Sequence, residues 1–135
     1  MPGHFIDMDV LVYFAAHDTA KADRAEKIVA EGGTISVQTL NGLANVARRK
    51  MRMSWWETRT LLSTIRALLL VQSNTVDIHE AGLVLAERHN LLIDDAMITA
   101  SALHADCDTL WSEDMHDGMV VQNRLHIYNP FRTAS

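Results

Sequence analysis

Short apolar runs that alternate with longer segments of helical periodicity are the feature that most restricts how this chain can fold. "HFIDMDVLVYF" opens with an apolar run suited to a buried strand, and "TAKADRAEKIVAEGG" then puts Ala22, Ala25, Ile28 and Val29 on one helical face before Gly32 and Gly33 stop it. "TISV" supplies a second strand and runs into a helix that carries "QTLNGLANVARRK". In "SWWETRTLLSTIRALLL", Leu61, Leu62, Ile65, Leu68 and Leu69 recur at helical spacing behind a Ser54/Glu57 capping box. "VQSNTV" reads as a short strand, Asp77 and Glu80 open a helix that ends near Asn90, and "DDAMITASALHA" forms a last helix. The strand "DTLWS", the polar loop "EDMHDG" and a final strand around "LHIYNP" complete the order βαβααβααββ. Recurrent β-then-α order predicts an α/β fold, a mainly parallel sheet covered by helices.

At 135 residues, the chain is long enough for one domain with a proper core and too short for two ordinary ones, so residues 1–135 are expected to form a single domain. The longest apolar stretch, "LLSTIRALLLV", is interrupted by Ser63, Thr64 and Arg66, and "MPGHFID" lacks the basic and hydrophobic parts of a signal peptide. No membrane association and a cytoplasmic location follow as expectations. The single cysteine, Cys107, gives neither an internal disulfide nor a CxxC metal site and reads as a small buried hydrophobe beside a strand. Seven histidines are scattered without the spacing of a zinc motif; His116 alone lies in the acidic loop.

In open parallel sheets, sites form at the carboxyl ends of the strands. The polar residues that fall there are nearly all aspartates: Asp7 and Asp9 at the end of the first strand, Asp94 and Asp95 at a helix start, Asp114 and Asp117 after "DTLWS". Singly, each has an ordinary use, such as an N-cap for Asp94, a first-turn acid for Asp95 or a turn former for Asp114 and Asp117. Together they would repel one another unless a cation sat between them, and hard oxygen donors select Mg²⁺ or Mn²⁺ over zinc. The net charge of −5 denies the chain a general attraction for nucleic acid, so any such contact must come from the local patch "ARRKMR", with Arg48, Arg49, Lys50 and Arg52; solvated cations that complement the helix dipole are the plainer reading. Trp55 and Trp56 open a helix that reads equally as core or as interface. Gly42 stands about one turn into its helix, where glycine costs roughly 1 kcal/mol against alanine, and nothing about the helix itself requires it.

"FIDMDVLVYF", "ISVQTLNGLANVARRK", "IDDAMITASAL" and "CDTLWSEDMHDG...LHIYNPF" together resemble the PIN-domain family, in particular the VapC-like toxins of bacterial toxin/antitoxin pairs, from about residue 4 to residue 131. The resemblance implies a PIN-like three-layer fold, a homodimer, and an acid cluster that binds Mg²⁺ or Mn²⁺ for hydrolytic cleavage of RNA. An RNA substrate gives the patch of Arg48, Arg49, Lys50 and Arg52 weight as an RNA-binding surface. The resemblance also implies a cognate antitoxin that wraps the toxin, with operator DNA reached only through that complex. Carried over, the family's first, third and fourth acids fall on Asp7, Asp95 and Asp114, the accessory acid on Asp117, and its small hydroxyl residue on Ser112. The second acid, normally glutamate, falls on Gly42. Met8 and Asp9 replace the usual Thr or Ser and Asn, and Asp94 replaces a common aromatic residue, so Asp9 and Asp94 are the candidate substitutes for the missing charge. The expected activity is that of a metal-dependent endoribonuclease toxin, weakened by the missing acid. A catalytically inactive PIN-fold module that binds an antitoxin is the alternative, and a metal-dependent phosphatase or flap-type nuclease a third reading.

Overall fold

Parallel strand pairing organises the molecule, and the order of the strands decides where polar residues gather. The computed structural model describes residues 3–17 and 20–132. The elements run β1 (His4–Ile6), α1 (Met8–Ala16), α2 (Ala20–Ala30), β2 (Thr34–Ser36), α3 (Val37–Arg49), α4 (Trp55–Leu68), β3 (Leu70–Gln72), α5 (Val76–His89), α6 (Ile93–His104), β4 (Thr109–Trp111), β5 (Val120–Val121) and β6 (Leu125–Tyr128). They build one six-stranded sheet in the order β3-β2-β1-β4-β6-β5, parallel except for the β5/β6 pair. The chain therefore steps outward from β1 to β3 and then returns to β4 on the other side of β1. The topological switch point lies between β1 and β4, where Phe5 pairs with Leu110 and Ile6 with Trp111.

Adjacent residues of a strand face opposite sides of the sheet, and β1 shows this at the core. Phe5 joins Leu110, Ile127, Leu85 and Ala100 in the layer made with α5 and α6, whereas Ile6 joins Ile35, Leu43, Ile65 and Ile28 in the layer made with α1 to α4. Helices thus cover both faces, the PIN-like three-layer arrangement. Burying one such side chain fully contributes about 1.5–3 kcal/mol, so both layers carry a substantial share of the folding free energy. Gly82 lets α5 approach α6 closely: a Cβ there would stand 2.5 Å from Met97 Sδ. The first turn of α6 carries two of the aspartates.

Two elements depart from the expected order. "DVLVYFAA" is helix rather than the continuation of a strand, because Asp7 caps it and Val10, Leu11 and Ala15 are buried. A short helix that is apolar on nearly every side gives the same run of hydrophobic letters as a buried strand. Asp9 is accordingly a first-turn residue of α1, not a strand end. The two-residue β5 was also not foreseen; it pairs antiparallel with β6 through Val120/His126 and Val121/Leu125. Among the described residues no helix is long and apolar enough to cross a membrane.

Candidate active site

Asp7 is placed by three neighbours. It ends β1 and caps α1, its backbone N–H donates to the Trp111 carbonyl of β4 at 3.0 Å, its Oδ1 accepts from Met8 N at 2.7 Å and its Oδ2 accepts from Ser112 Oγ at 2.8 Å. Ser112 follows β4 directly and is fully buried, so its hydroxyl can serve as a fixed donor across the switch point. The Asp7 carboxyl is held above the ordinary carboxylate range, first by burial, opposed by the hydrogen bonds from Ser112 and Met8, and reinforced by the charges of Asp95 and Asp114.

Asp9, one residue into the next turn, supports the loop that follows β4. Its Oδ2 accepts from the backbone N–H of Glu113 at 2.9 Å and of Asp114 at 3.3 Å, while its Oδ1 is buried without a hydrogen-bond partner among the described residues. Burial, followed by the charge of Asp7, pushes its carboxyl up to about 7. Asp94 and Asp95 sit in the first turn of α6, where the helix dipole favours acids. The N-cap itself is Leu92, with no side-chain hydrogen bond, so Asp94 is not the cap that the sequence allowed for. Burial, then the charges of Asp114 and Asp94, raise the Asp95 carboxyl.

Asp7, Asp9, Asp94, Asp95 and Asp114 line one pocket of about 330 Å³, together with Met8, Gln38, Thr39, Gly42 and Ile98. Asp117 does not join them: its Oδ1 accepts from Asn129 N at 2.8 Å and its Oδ2 from Arg132 Nη1 at 2.9 Å, and these donors, the backbone N–H first, hold its carboxyl below the ordinary range. The expectation that Asp117 stands with the other acids is corrected on that geometry. Arg48 and Arg49 line a neighbouring groove, whereas Lys50 and Arg52 are exposed beyond it.

Gly42 does border the pocket, and although its own helix does not require a glycine, a neighbouring helix fills the space beside it. A Cβ at position 42 would stand 2.7 Å from Met8 Sδ. The thioether of Met8 takes the space into which a side chain at 42 would begin, so two of the departures from the family pattern are one packing event. No alignment of sequence letters carries that signal, because α1 and α3 meet only in the fold.

A second contact set escaped the sequence reading. Glu113, next to Asp114, accepts a hydrogen bond from Tyr13 Oη at 2.8 Å and pairs with Lys21 Nζ, which ties the acidic loop to α1 and α2. Burial alone would raise the Glu113 carboxyl, yet Lys21 and Tyr13 outweigh it and the net shift is downward. The partners lie 100 and 92 residues away in the chain, beyond the reach of any local pattern.

As a donor set, the pocket suits a hard divalent cation. Every charged group on its wall is a carboxylate, Asp7 and Asp95 are raised by burial first and then by neighbouring acids, and a buried oxygen of Asp9 is unpaired. Among the described residues no three such side chains converge closely enough to make a complete ligand set. An ion here would be held by one or two carboxylates and water, the habit of Mg²⁺.

A family model for the PIN domain matches residues 4–116. Among solved structures, the chain is similar to a toxin–antitoxin complex from Klebsiella pneumoniae (TM-score 0.73, 19% identity, 96% of this chain and 99% of that one covered). It is also similar to VapC20 of Mycobacterium tuberculosis, a sarcin-ricin loop cleaving toxin (TM-score 0.67, 18% identity, 82% and 89% covered). VapBC2 of Rickettsia felis, bound to a DNA fragment from its promoter, is a further likeness (TM-score 0.59, 17% identity, 82% and 87% covered). At these identities the likeness is one of fold. No curated protein sequence matches the chain significantly.

Proposed function

Because the chain belongs to the PIN-domain family, we propose that it is an endoribonuclease toxin of a toxin/antitoxin pair that hydrolyses RNA phosphodiester bonds with Mg²⁺ or Mn²⁺. The observation that carries this reading is the convergence of acids from three distant parts of the chain, Asp7 and Asp9, Asp94 and Asp95, and Asp114, on one pocket at the sheet's switch point. Asp7, Asp95 and Asp114 are the proposed catalytic acids, one or two of which would hold the ion directly and the rest through water; Asp117, committed to Arg132, is left out.

When bound, the cation supplies charge stabilisation to the phosphoryl group and acidifies a water molecule. The chain's own residues do the rest. Ser112 and the Met8 N–H fix the Asp7 carboxylate so that it meets the ion without reorganising. Asp9 holds the 113–114 backbone and, through it, the position of Asp114. Asp95, on the pocket wall within reach of the Asp114 charge, would orient the attacking water or accept its proton. With no carboxylate at position 42, a bound ion would have one donor fewer and the water would be less well aimed; a misplacement of about 1 Å is enough for a loss on the order of a hundredfold in rate.

The partner we assign is an antitoxin protein, with operator DNA contacted through that complex; the likeness in fold to a toxin–antitoxin complex and to VapBC2 bound to promoter DNA supports it. A homodimer in the cytoplasm is the proposed working state. The exposed Leu68 and Leu70 provide apolar surface for an interface.

The test is cleavage of a panel of single-stranded and structured RNAs with Mn²⁺ or Mg²⁺, comparing the chain with Gly42→Glu, with Gly42→Glu combined with Met8→Ala, and with Asp7→Asn. Weak activity that grows most in the combined variant and vanishes in Asp7→Asn is the expected result. Full activity in the unmodified chain would refute the impairment. Silence in every variant would favour the second reading, a PIN-fold module that only binds an antitoxin, for which the Met8 thioether in the space beside Gly42 is the supporting observation.

A further inference from the structure

We propose that the outer face of α3, with Trp55, is a track along which single-stranded RNA approaches the acid pocket, the two spaces adjoining at Gln38 and Gly42. This inference rests on the nuclease reading and assigns the strand's path, which that reading leaves open.

The face pattern of α3 is the first ground. Thr39, Leu43 and Ala47 are buried, and on the opposite side Gln38, Asn41, Asn45, Arg48 and Arg49 form a stripe at helical spacing. That stripe and Trp55 line a groove of about 790 Å³. Gln38 and Gly42 belong to the wall of this groove and to the wall of the acid pocket, so the two spaces adjoin along this stretch of α3, beside the Met8 thioether.

The chemistry of the stripe is the second. Neither Arg48 nor Arg49 forms an ion pair among the described residues, which leaves both guanidinium charges for phosphates. The Arg48 guanidinium lies 4.2 Å from the Trp55 ring centre, and its Nη1 donates to the Met53 carbonyl at 2.6 Å, so the indole is held in place. Trp55 remains 64% exposed. A fixed, open indole beside cations, followed by amide side chains, is the composition that binds an unpaired strand: bases stack, amides meet base edges, and guanidinium groups hold the backbone. A duplex cannot use it, since its bases are already stacked on one another. The charge order also suits a polyanion: a basic groove retains the strand, and the acidic pocket beyond accepts a phosphate only together with a cation.

The experiment is fluorescence anisotropy of a fluorescein-labelled ten-nucleotide single-stranded RNA of mixed sequence with the full chain in EDTA, over a range of salt. Trp55→Ala should weaken binding roughly 5- to 100-fold without changing the salt dependence, since stacking is not a charge effect. Arg49→Ala should weaken binding and reduce the slope of log K against log salt by about 0.7, one phosphate contact. Trp56→Ala, at the more exposed neighbouring position, should bind as the unmodified chain does, and an RNA duplex of equal length should compete poorly. Affinity insensitive to both Trp55 and Arg49, or lost equally in Trp56→Ala, overturns the track and leaves the groove to a protein segment. Binding in EDTA is independent of cleavage: a chain with this pattern that cuts no RNA keeps the track and loses the nuclease, and a chain that cuts RNA with no response at Trp55 does the reverse.

Discussion

Replacing a helical glycine by alanine ordinarily stabilises a protein by about 1 kcal/mol, yet at position 42 the added methyl would meet Met8 Sδ at 2.7 Å. Gly42→Ala should therefore bring no gain, or cost about 1 kcal/mol through overpacking, whereas in a Met8→Ala background the same change should stabilise; urea unfolding of the four proteins measures the coupling, and additive effects would refute the contact. Asp9 poses the opposite problem, a buried acid with one oxygen unpaired and its carboxyl pushed to about 7 by burial and then by Asp7. In EDTA at pH 8, Asp9→Asn keeps an oxygen for the Glu113 and Asp114 N–H groups and removes the buried charge, so its melting temperature should rise by a few degrees, on the order of 1 kcal/mol. A fall would mean that the charge is satisfied in a way this geometry omits. That the acids at 7, 95 and 114 would gather at one edge was legible because each falls at or just after a strand end or at a helix start, and they do line one pocket. The packing of Met8 beside Gly42 was not, since glycine states only what is missing and never what fills the space.

Helix starts obey rules that operate within a few residues, and there the expectations hold closely. The Ser54/Glu57 capping box is formed in both directions, at 3.0 and 2.9 Å, and Asn90 ends α5 in the left-handed region at φ 54°. The loop after β4 obeys no such local rule: it is held by Asp9 from α1 and, through Glu113, by Tyr13 and by Lys21 of α2. Lys21→Met should leave Glu113 with the Tyr13 hydrogen bond alone and the Asp9 bonds in place. Amide exchange at Glu113 and Asp114 should then speed up severalfold while that of α5 stays unchanged; unchanged exchange in the loop would show that Asp9 and Tyr13 suffice to hold it. The misreading of α1 belongs to this scale as well, because periodicity cannot separate a short helix buried on most sides from a strand.

The assembled core has its own titration. Cys107 is buried among Phe5, Leu110 and Leu125, and its thiol is pushed up to about 11, by burial first and then by Asp108 and Asp106, with a hydrogen bond to Thr34 opposing them. Because the folded state binds this proton more tightly than the unfolded chain, whose thiol titrates near 9, the associated stability is complete below pH 9 and is lost as pH rises to about 11. Urea unfolding across that window should show a loss on the order of 2 kcal/mol that is absent in Cys107→Ala; the same slope in both proteins would place the titration elsewhere. The whole-molecule view also separates what each level of description decides. By itself the sequence determined the α/β class, the parallel sheet, most helix limits, the identity of the acids and the burial of Cys107, since periodicity, capping and hydrophobicity act between near neighbours. Only the tertiary structure decided that Ser112 holds Asp7 across 105 residues, that Asp117 turns to Arg132 instead of the pocket, that Met8 occupies the space beside Gly42, and that α3 and Trp55 share a groove adjoining the acid pocket. Those distances are set by the order in which strands cross over and pack, a property of the closed sheet that no local stretch of the chain contains.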